Sequence, residues 1–437
     1  MRYSQDIEIL NSVDVLVVGG GPAGIGAAVS AARAGAKVVL IERFGILGGM
    51  LTSGQVNPIL GSVSAGTIAD ELLELFQANQ SATENRTTRN GRENEIDPEV
   101  AKSTLGPFLK RSGVEYYLQC PVVDVIMNAS KIDVVVISTP TGLAGIQAKV
   151  CIDASGDGTL SFLAGAPYWI GREPDGRCQP TTLEFTISQV DETKAIFCFG
   201  GSDPVKLESG EEYRKVCQRA QAAGELPANV SIVRLHKTPH SGERSVNATQ
   251  ANNHDVLSLG GIRDAELELR QQIGLCIGFL RANVPGYEHC MLKSSATALG
   301  VRESRRIQGQ YVLTDRDVEE GSRFKDVVVH KAWFLIDIHN PSGSGQAEGQ
   351  SKMARPYDIP YRCLVPLAVD NLLLAGRCIS GTHRAHASYR VMTICMAMGQ
   401  AAGIAAARCS LVGIDPRELD INLLQQELTA CAIDLFG

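Results

Sequence analysis

Four side chains that could bind and protonate a small acid are clustered in the segment 383–390. A guanidinium holds a carboxylate by two parallel hydrogen bonds, and an imidazole exchanges its proton near neutral pH. We therefore expect Arg384 or Arg390 to bind a substrate carboxylate, and His386, beside His383, to form a hydrogen bond or transfer a proton. The alternative is that these side chains cap the following helix or bridge two domains.

Three other groups could also do chemistry. His339 ends an apolar stretch beside a glycine-rich segment, where it could be an acid or base or a structural histidine. Arg302 and Arg306 lie in an arginine-rich stretch, for which surface ion pairs are the plainer interpretation. The two histidines of HKTPH (236–240) have no third ligand nearby, so we expect no metal site.

The elements that could position these groups begin at the other end of the chain. VDVLVV (13–18), a glycine turn, an apolar helix and AKVVLIER (36–43) read as strand, turn, helix and strand. In the turn, Gly19 permits a tight bend, Gly21 lets a diphosphate approach the backbone, and Gly24 lets the helix pack closely. Glu42, 18 residues beyond Gly24, can accept both ribose hydroxyls, which predicts a dinucleotide site and disfavours NADP.

Several motifs together resemble one family. A second glycine pair at 48–49 suits a ligand longer than NAD, and ASGDG (154–158) follows a buried strand. GGGPAG, ER, LGGMLTSG, ASGDG and the segment 371–407 resemble FAD-dependent oxidoreductases related to fumarate reductase and succinate dehydrogenase flavoproteins, with a glutathione-reductase-like FAD fold. The resemblance implies FAD as the cofactor and these cofactor-binding residues: Gly19, Gly21, Pro22, Ala23, Gly24, Glu42, Arg43, Gly48, Gly49, Met50, Val122, Ala154, Ser155, Gly156, Gly376, Arg377, Val391, Met392 and Gly403.

The resemblance also implies how the flavin is held. A helix beginning near 390–393 would direct the N–H groups of Val391 and Met392 at the pyrimidine edge of the flavin, where reduction adds negative charge. Arg377 would pair with the diphosphate or form a structural ion pair, and Val122 would meet the adenine. Since residues 44–56 contain no histidine, we expect non-covalent FAD.

These observations predict an α/β architecture. We expect a Rossmann-like FAD/NAD(P)-binding fold that is split in sequence, with an inserted α+β substrate domain. The expected boundaries are 1–160 for the first part of the FAD domain, 161–354 for the substrate domain and 355–437 for the return to the FAD domain. A second GxGxxG motif is missing, so the chain offers no separate nicotinamide domain and the electron donor or acceptor is left open.

Composition limits the other classes. The net charge of −7 and the lack of a long basic run disfavour nucleic-acid binding. No run of about 18 uninterrupted apolar residues and no secretory signal are apparent, so we expect no membrane span and a cytoplasmic protein. The 12 cysteines form no CxxC pair and are expected to be small buried thiols. Whether the chain forms a homo-oligomer is left open.

The function that fits best is a FAD-dependent oxidoreductase. It would transfer a hydride between a small polar or carboxylate-bearing substrate and N5 of the flavin. Two alternatives stay open at this point: a FAD-containing lyase or isomerase, and an electron-transfer subunit of a larger complex.

Overall fold

The computed structural model describes residues 5–83, 86–88, 91–173, 175–201, 203–345 and 353–436. In chain order its strands are β1 Glu8–Val18, β2 Val38–Ile41, β3 Pro58–Leu60, β4 Arg86–Thr88, β5 Gly91–Glu95, β6 Glu115–Tyr117, β7 Val122–Asn128, β8 Lys131–Thr139, β9 Gly142–Asp153, β10 Tyr168–Ile170, β11 Phe185–Ser188, β12 Arg234–Lys237, β13 Arg244–Asn247, β14 Met291–Ser295, β15 Arg305–Ile307, β16 Val327–Ala332, β17 Tyr357–Pro360 and β18 Leu372–Leu374. Its helices are α1 Pro22–Arg33, α2 Ile68–Ala78, α3 Pro98–Arg111, α4 Thr159–Leu163, α5 Tyr213–Ala222, α6 Leu259–Asn283, α7 Asp315–Glu320, α8 His383–Tyr389, α9 Met392–Val412 and α10 Ile421–Ala430.

A seven-stranded sheet carries the site. Its order is β6-β2-β1-β9-β8-β7, and β18 pairs with the carboxyl half of β9. β6, β2, β1, β9 and β18 are parallel, whereas β7 and β8 are antiparallel. In the centre, Val17 lies opposite Leu40 on one side and Ile152 on the other, and all three are buried. Apolar runs of this kind form strands that are covered on both faces. The predicted α/β, Rossmann-like fold class is confirmed.

Helices α1 and α9 pack against each other through glycines. A Cβ at Gly399 would lie 1.9 Å from the carbonyl oxygen of Ala23, and one at Gly403 would lie 2.2 Å from that of Ala27. From the other helix, a Cβ at Gly26 would lie 2.4 Å from the carbonyl oxygen of Met396. The two backbones are therefore in direct contact, which joins the amino-terminal and carboxy-terminal parts of the FAD fold.

This packing explains the apolar character of α9. By length and composition it is the one helix among the described ranges that could cross a membrane, but 89% of its most apolar window is buried inside the protein. A core helix of a folded domain has the same composition.

The middle of the chain builds a second apolar core. β12, β13, β11 and β14 form an antiparallel sheet in that order, and α5 and α6 contribute to the same buried cluster. That cluster takes its buried residues from positions 183–296. The residues of β16 and β17, although they fall at 327–360, pack mainly into the first core. The segments 300–302 and 334–345, which follow the second core in sequence, contribute several residues of the candidate site.

Candidate active site

The glycine turn has the geometry of a dinucleotide cradle. Gly19 has a φ of +108°, and a Cβ there would lie 2.4 Å from the carbonyl oxygen of Ala154. A Cβ at Gly24 would lie 1.7 Å from the carbonyl oxygen of Gly19. Pro22 occupies the first turn of α1, and Gly21 is its N-cap without a side chain to fill the space before the helix. The free N–H groups of this helix end favour an anion such as a diphosphate.

Glu42 fixes the neighbouring backbone. Its Oε2 accepts a hydrogen bond from the N–H of Gly20 at 2.6 Å, and its Oε1 accepts one from Phe44 at 2.8 Å. Burial raises its pKa above the ordinary value, although these two hydrogen bonds oppose the shift. The main-chain oxygen of Glu42 accepts from the N–H of Cys120, two residues before Val122 at the start of β7. This main-chain hydrogen bond holds the predicted ribose residue, Glu42, close to the segment that carries the predicted adenine residue, Val122.

The second glycine pair joins the same turn. The N–H of Gly48 donates to the carbonyl oxygen of Gly20 at 2.8 Å, and Gly48 and Gly49 have φ values of +106° and +53°. A Cβ at Gly49 would lie 3.0 Å from the Cα of Gly21. Met50 follows in a short 3-10 helix and lines the cavity described below.

Two arginines meet at Asp157. Arg377 donates to it at 2.9 Å, and Arg43 lies 3.3 Å from its second oxygen. Burial opposes the ionisation of Asp157, but the two guanidinium groups hold its pKa below the ordinary value. The Nη1 of Arg377 is buried and has no hydrogen-bond partner. Gly156 makes room for this guanidinium, because a Cβ there would lie 2.7 Å from Nη2.

The remaining predicted cofactor residues lie in three different places. Ala154 and Gly376 lie against the glycine turn and α1: the N–H of Ala154 donates to Val18, and a Cβ at Gly376 would lie 2.9 Å from the Cβ of Ala23. The hydroxyl of Ser155 is engaged within its own loop, where it bonds Asp153 and the N–H of Thr159. Gly403 lies at the α1–α9 interface, so its contribution is to helix packing.

The residues present fit a dinucleotide. Side chains at Gly19 or Gly24 would collide with the backbone around the turn, whereas a Cβ at Gly21 would meet only the Cα of Gly49 at 3.9 Å, so the space before α1 is open. Arg377 keeps a buried donor without a protein partner. Both features lie at the carboxyl ends of parallel strands, where such sheets bind their ligands.

A cavity of about 600 Å³ opens at the amino end of α9. That helix begins at Met392 with Val391 as its N-cap, within the range that the sequence predicts. Val391, Met392 and Arg390 line the cavity together with Met50 and Arg377. The helix end, the second glycine loop and the arginine at Asp157 therefore share one space.

Besides Arg377, four arginines line the cavity: Arg214, Arg234, Arg302 and Arg390. Two acids, Glu184 and Asp337, line it with them. Burial and the neighbouring Arg390 lower the pKa of Arg302 to about 9, so its guanidinium stays protonated at neutral pH. Arg302 donates one hydrogen bond to the carbonyl oxygen of Pro180 at 2.7 Å. Such a cluster of guanidinium groups favours an anionic ligand.

Arg390, Asp337 and His339 form a linked group in this cavity. The Nη2 of Arg390 donates to the main-chain oxygen and to Oδ2 of Asp337 at 3.0 and 3.1 Å, and His339 Nε2 lies 3.2 Å from the same Oδ2. Burial and the nearby Arg302 lower the pKa of His339 to about 3, so its imidazole is neutral. Although burial opposes it, His339 and Arg390 hold the pKa of Asp337 well below its ordinary value. The Nε of Arg390 is buried without a hydrogen-bond partner.

The other three predicted catalytic residues do not line this cavity. Arg384 bonds Glu319 at 2.9 Å on the outer side of α8. His383 Nδ1 lies 2.8 Å from Glu303, which Arg306 also contacts. His386 is 1% exposed and packs edge-on against a tyrosine ring, while burial and nearby arginines hold its pKa well below the ordinary value. The structure therefore brings Arg390 and His339 together and places these three elsewhere.

The cavity contains residues that sequence reasoning missed. Glu184, Arg234 and Asp337 come from three separate segments, and none belongs to a motif. The sequence favours a surface ion pair for Arg302, but the Arg302 side chain is buried and lines the cavity. The one available signal for Glu184 was a single acid on the alternating segment 181–188. In the described part of the chain, no group of three His, Cys, Asp or Glu residues could hold a metal ion.

The fold and site define a flavoprotein of the dinucleotide-binding α/β class. The family described as FAD dependent oxidoreductase matches residues 14–428, and the chain belongs to that family. It is therefore an oxidoreductase with FAD as its cofactor, as the sequence predicts. The more specific relationship with fumarate reductase flavoproteins stays a prediction.

Individual relatives cover smaller parts of the chain. The thiamine thiazole synthase of Aeropyrum pernix is 30% identical over an alignment of 194 residues that covers 37% of this chain and 65% of that protein. The synthase of Pyrococcus horikoshii is 30% identical over an alignment of 169 residues that covers 36% of this chain and 62% of that protein. This chain thus matches less than two thirds of the length of either synthase.

Solved structures are similar in fold over nearly the whole chain. A geranylgeranyl bacteriochlorophyll reductase-like protein from Thermoplasma acidophilum has a TM-score of 0.50 and 14% identity, covering 96% of this chain and 84% of its own. The p-nitrophenol 4-monooxygenase of Pseudomonas putida has a TM-score of 0.52 and 12% identity, covering 95% and 84%. At these identities the similarity is one of fold.

Proposed function

We propose that this protein transfers a hydride between a small carboxylate-bearing substrate and N5 of FAD. The observation that carries the proposal is that the amino end of α9 opens directly into the cationic cavity. Val391 and Met392 lie at that helix end, and Arg390, next in sequence, belongs to the cavity wall. Bound FAD supplies the hydride acceptor or donor, and the chain supplies a place to hold an anion beside it.

Arg390 and Arg302 are the proposed ligands of the substrate carboxylate. Arg390 keeps a buried Nε without a hydrogen-bond partner and, within the described ranges, forms an ion pair with Asp337. Arg302 donates one hydrogen bond to a main-chain oxygen, and its guanidinium lines the cavity. A carboxylate between them would satisfy donors that are otherwise buried, which is worth more than a surface contact.

His339 is the proposed hydrogen-bonding partner of the reacting group. Asp337 orients its imidazole, and the ring is neutral because burial and Arg302 disfavour its charged form. Since Nε2 of the neutral ring donates to the Asp337 carboxylate, Nδ1 is the atom that can accept a hydrogen bond or a proton, and an anion bound nearby would raise the pKa of the ring. His383, Arg384 and His386 have no part in this proposal.

The proposal is tested by anaerobic flavin reduction. The FAD-loaded protein is mixed with hydroxy acids, amino acids and, after chemical reduction, unsaturated acids, while the visible flavin absorption is followed. The corresponding amides and esters serve as matched neutral controls. We expect an acid, and not its amide, to change the flavin redox state in one rapid phase. Equal rates for acid and amide would contradict the role of the arginines, and no redox change with any compound would contradict hydride transfer.

A further inference from the structure

Glu184 is a buried carboxyl group in the wall of the substrate cavity. It is 3% exposed, and its Oε2 has no hydrogen-bond partner. Its position is fixed by the backbone, because its carbonyl oxygen accepts from the N–H of Ala296 next to β14. A buried polar atom of this kind is costly unless a ligand satisfies it.

The charges that face Glu184 come from two other segments. Arg302 precedes β15 and Arg234 begins β12, and both lower the energy of an ionised carboxylate there. His236, on the same strand as Arg234, and His339 line the cavity with them. Burial therefore outweighs the two arginines and raises the pKa of Glu184 to about 8.

We propose that Glu184 takes part in substrate binding as a carboxylic acid, donating its proton in a hydrogen bond to the anionic substrate that Arg302 and Arg234 attract. The inference rests on the proposed function and deepens it, because it defines the ligand as an oxyanion with a free acceptor oxygen. An ionised Glu184 would instead repel that anion and compete with it for the two arginines. Binding of the anion to protein in which Glu184 is ionised must therefore be accompanied by the uptake of one proton.

Calorimetry of sulfate binding tests this inference without knowledge of the substrate. Sulfate keeps its charge between pH 6 and pH 10, so any proton taken up must go to the protein. The FAD-loaded protein is titrated at pH 8 in two buffers of different ionisation enthalpy, as wild type, as Glu184→Gln and as Glu320→Gln. The last variant is the matched control, since Glu320 is an exposed acid on α7.

The wild type and Glu320→Gln should each take up about half a proton per bound sulfate, because about half of the Glu184 groups are ionised at a pH equal to the pKa. Glu184→Gln should bind sulfate without proton uptake. Equal uptake in Glu184→Gln and wild type would overturn the inference while the anion site, and with it the proposed function, would stand. Absence of sulfate binding in the wild type would overturn both.

A second measurement covers the case in which Glu184→Gln does not fold. The sulfate affinity of the wild type is measured from pH 6 to pH 9.5. We expect it to be constant below pH 7 and to be about twofold lower at pH 8, where about half of the Glu184 groups have lost their proton while Arg302, with a pKa of about 9, keeps most of its charge. An affinity that is the same at both ends of this range would contradict the role of Glu184.

Discussion

The guanidinium of Arg377 donates a hydrogen bond of 2.9 Å to Asp157, although 220 residues separate the two in sequence. Arg377 follows β18, near the carboxyl end of the chain, and Asp157 follows β9. The contact thus joins the two parts of the split FAD fold at the edge of the sheet where the dinucleotide is expected. Since Arg377 also lines the cavity, one side chain connects the fold with the site.

We predict that Asp157→Asn destabilises the protein by about 3 kcal/mol at neutral pH, because it leaves two guanidinium groups without their buried partner. The pKa of Asp157 is lowered in the folded state, so its stabilising contribution is present above the ordinary value of 3.8 and is lost as the pH falls through the folded-state value. Urea unfolding at pH 7 and in acid measures both effects. Asp175→Asn, which removes a surface ion pair, is the control and should change little. Equal stability of Asp157→Asn and wild type at pH 7 would contradict the structural role of this contact.

The close packing of α1 and α9 predicts a strong effect of one added methyl group. Gly399→Ala would place a carbon 1.9 Å from the Ala23 oxygen and force the helices apart, at a cost of about 2 kcal/mol or more. Gly274→Ala, on the exposed side of α6, meets no atom within 4 Å and should stabilise the helix by up to about 1 kcal/mol. Thermal unfolding of both variants distinguishes them, and the packing argument fails if Gly399→Ala is as stable as Gly274→Ala.

Glu42 should contribute to FAD affinity through the backbone that it holds. Both of its carboxylate oxygens accept from N–H groups, so in Glu42→Gln the amide nitrogen must face either Gly20 or Phe44 and one buried bond is lost. A loss of about 1–3 kcal/mol corresponds to a rise of roughly fivefold to 150-fold in the dissociation constant of FAD. Quenching of FAD fluorescence on titration with apoprotein measures it. Glu99→Gln, an exposed acid, is the control, and the same affinity in both variants would exclude this role.

The lowered pKa of His339 predicts how the affinity for an anion depends on pH below neutrality. Because burial and Arg302 lower it to about 3, the imidazole stays neutral from pH 5 to pH 7 and does not titrate in that range. The sulfate affinity of the FAD-loaded protein should therefore be constant over this interval. A rise toward pH 5 that the wild type shows and His339→Gln lacks would show instead that His339 is accessible to protonation.

The dinucleotide half of the site could be predicted from sequence because its determinants are local. Gly19, Gly21, Gly24 and Glu42 fall within one strand–turn–helix–strand unit, and each backbone requirement is carried by its own residue. The amino end of α9 was predictable for the same reason, since the apolar run itself marks where the helix begins.

The substrate cavity could be predicted only in part. Arg384 and Arg390 are six residues apart and look equivalent in sequence, but α8, capped by Thr382, turns Arg384 toward Glu319 while Arg390 reaches Asp337. Glu184, Arg234 and Arg302 line one cavity although they come from the start of β11, the start of β12 and the segment before β15. No spacing rule in the sequence predicts that these segments share a cavity. Sequence alone therefore predicted that the cluster lies at the amino end of α9, but not which of its members line the cavity.

An anion is expected to bind in the arginine-lined cavity, beside the flavin. The most direct test is to titrate the FAD-loaded protein with sulfate and record the change in the visible flavin spectrum. We predict a saturable change in the wild type and in Arg384→Gln, and a dissociation constant about 100-fold higher in Arg390→Gln, as expected when a buried charged contact is lost. A flavin spectrum that sulfate leaves unchanged, or an equal loss of affinity in the two variants, would contradict the account.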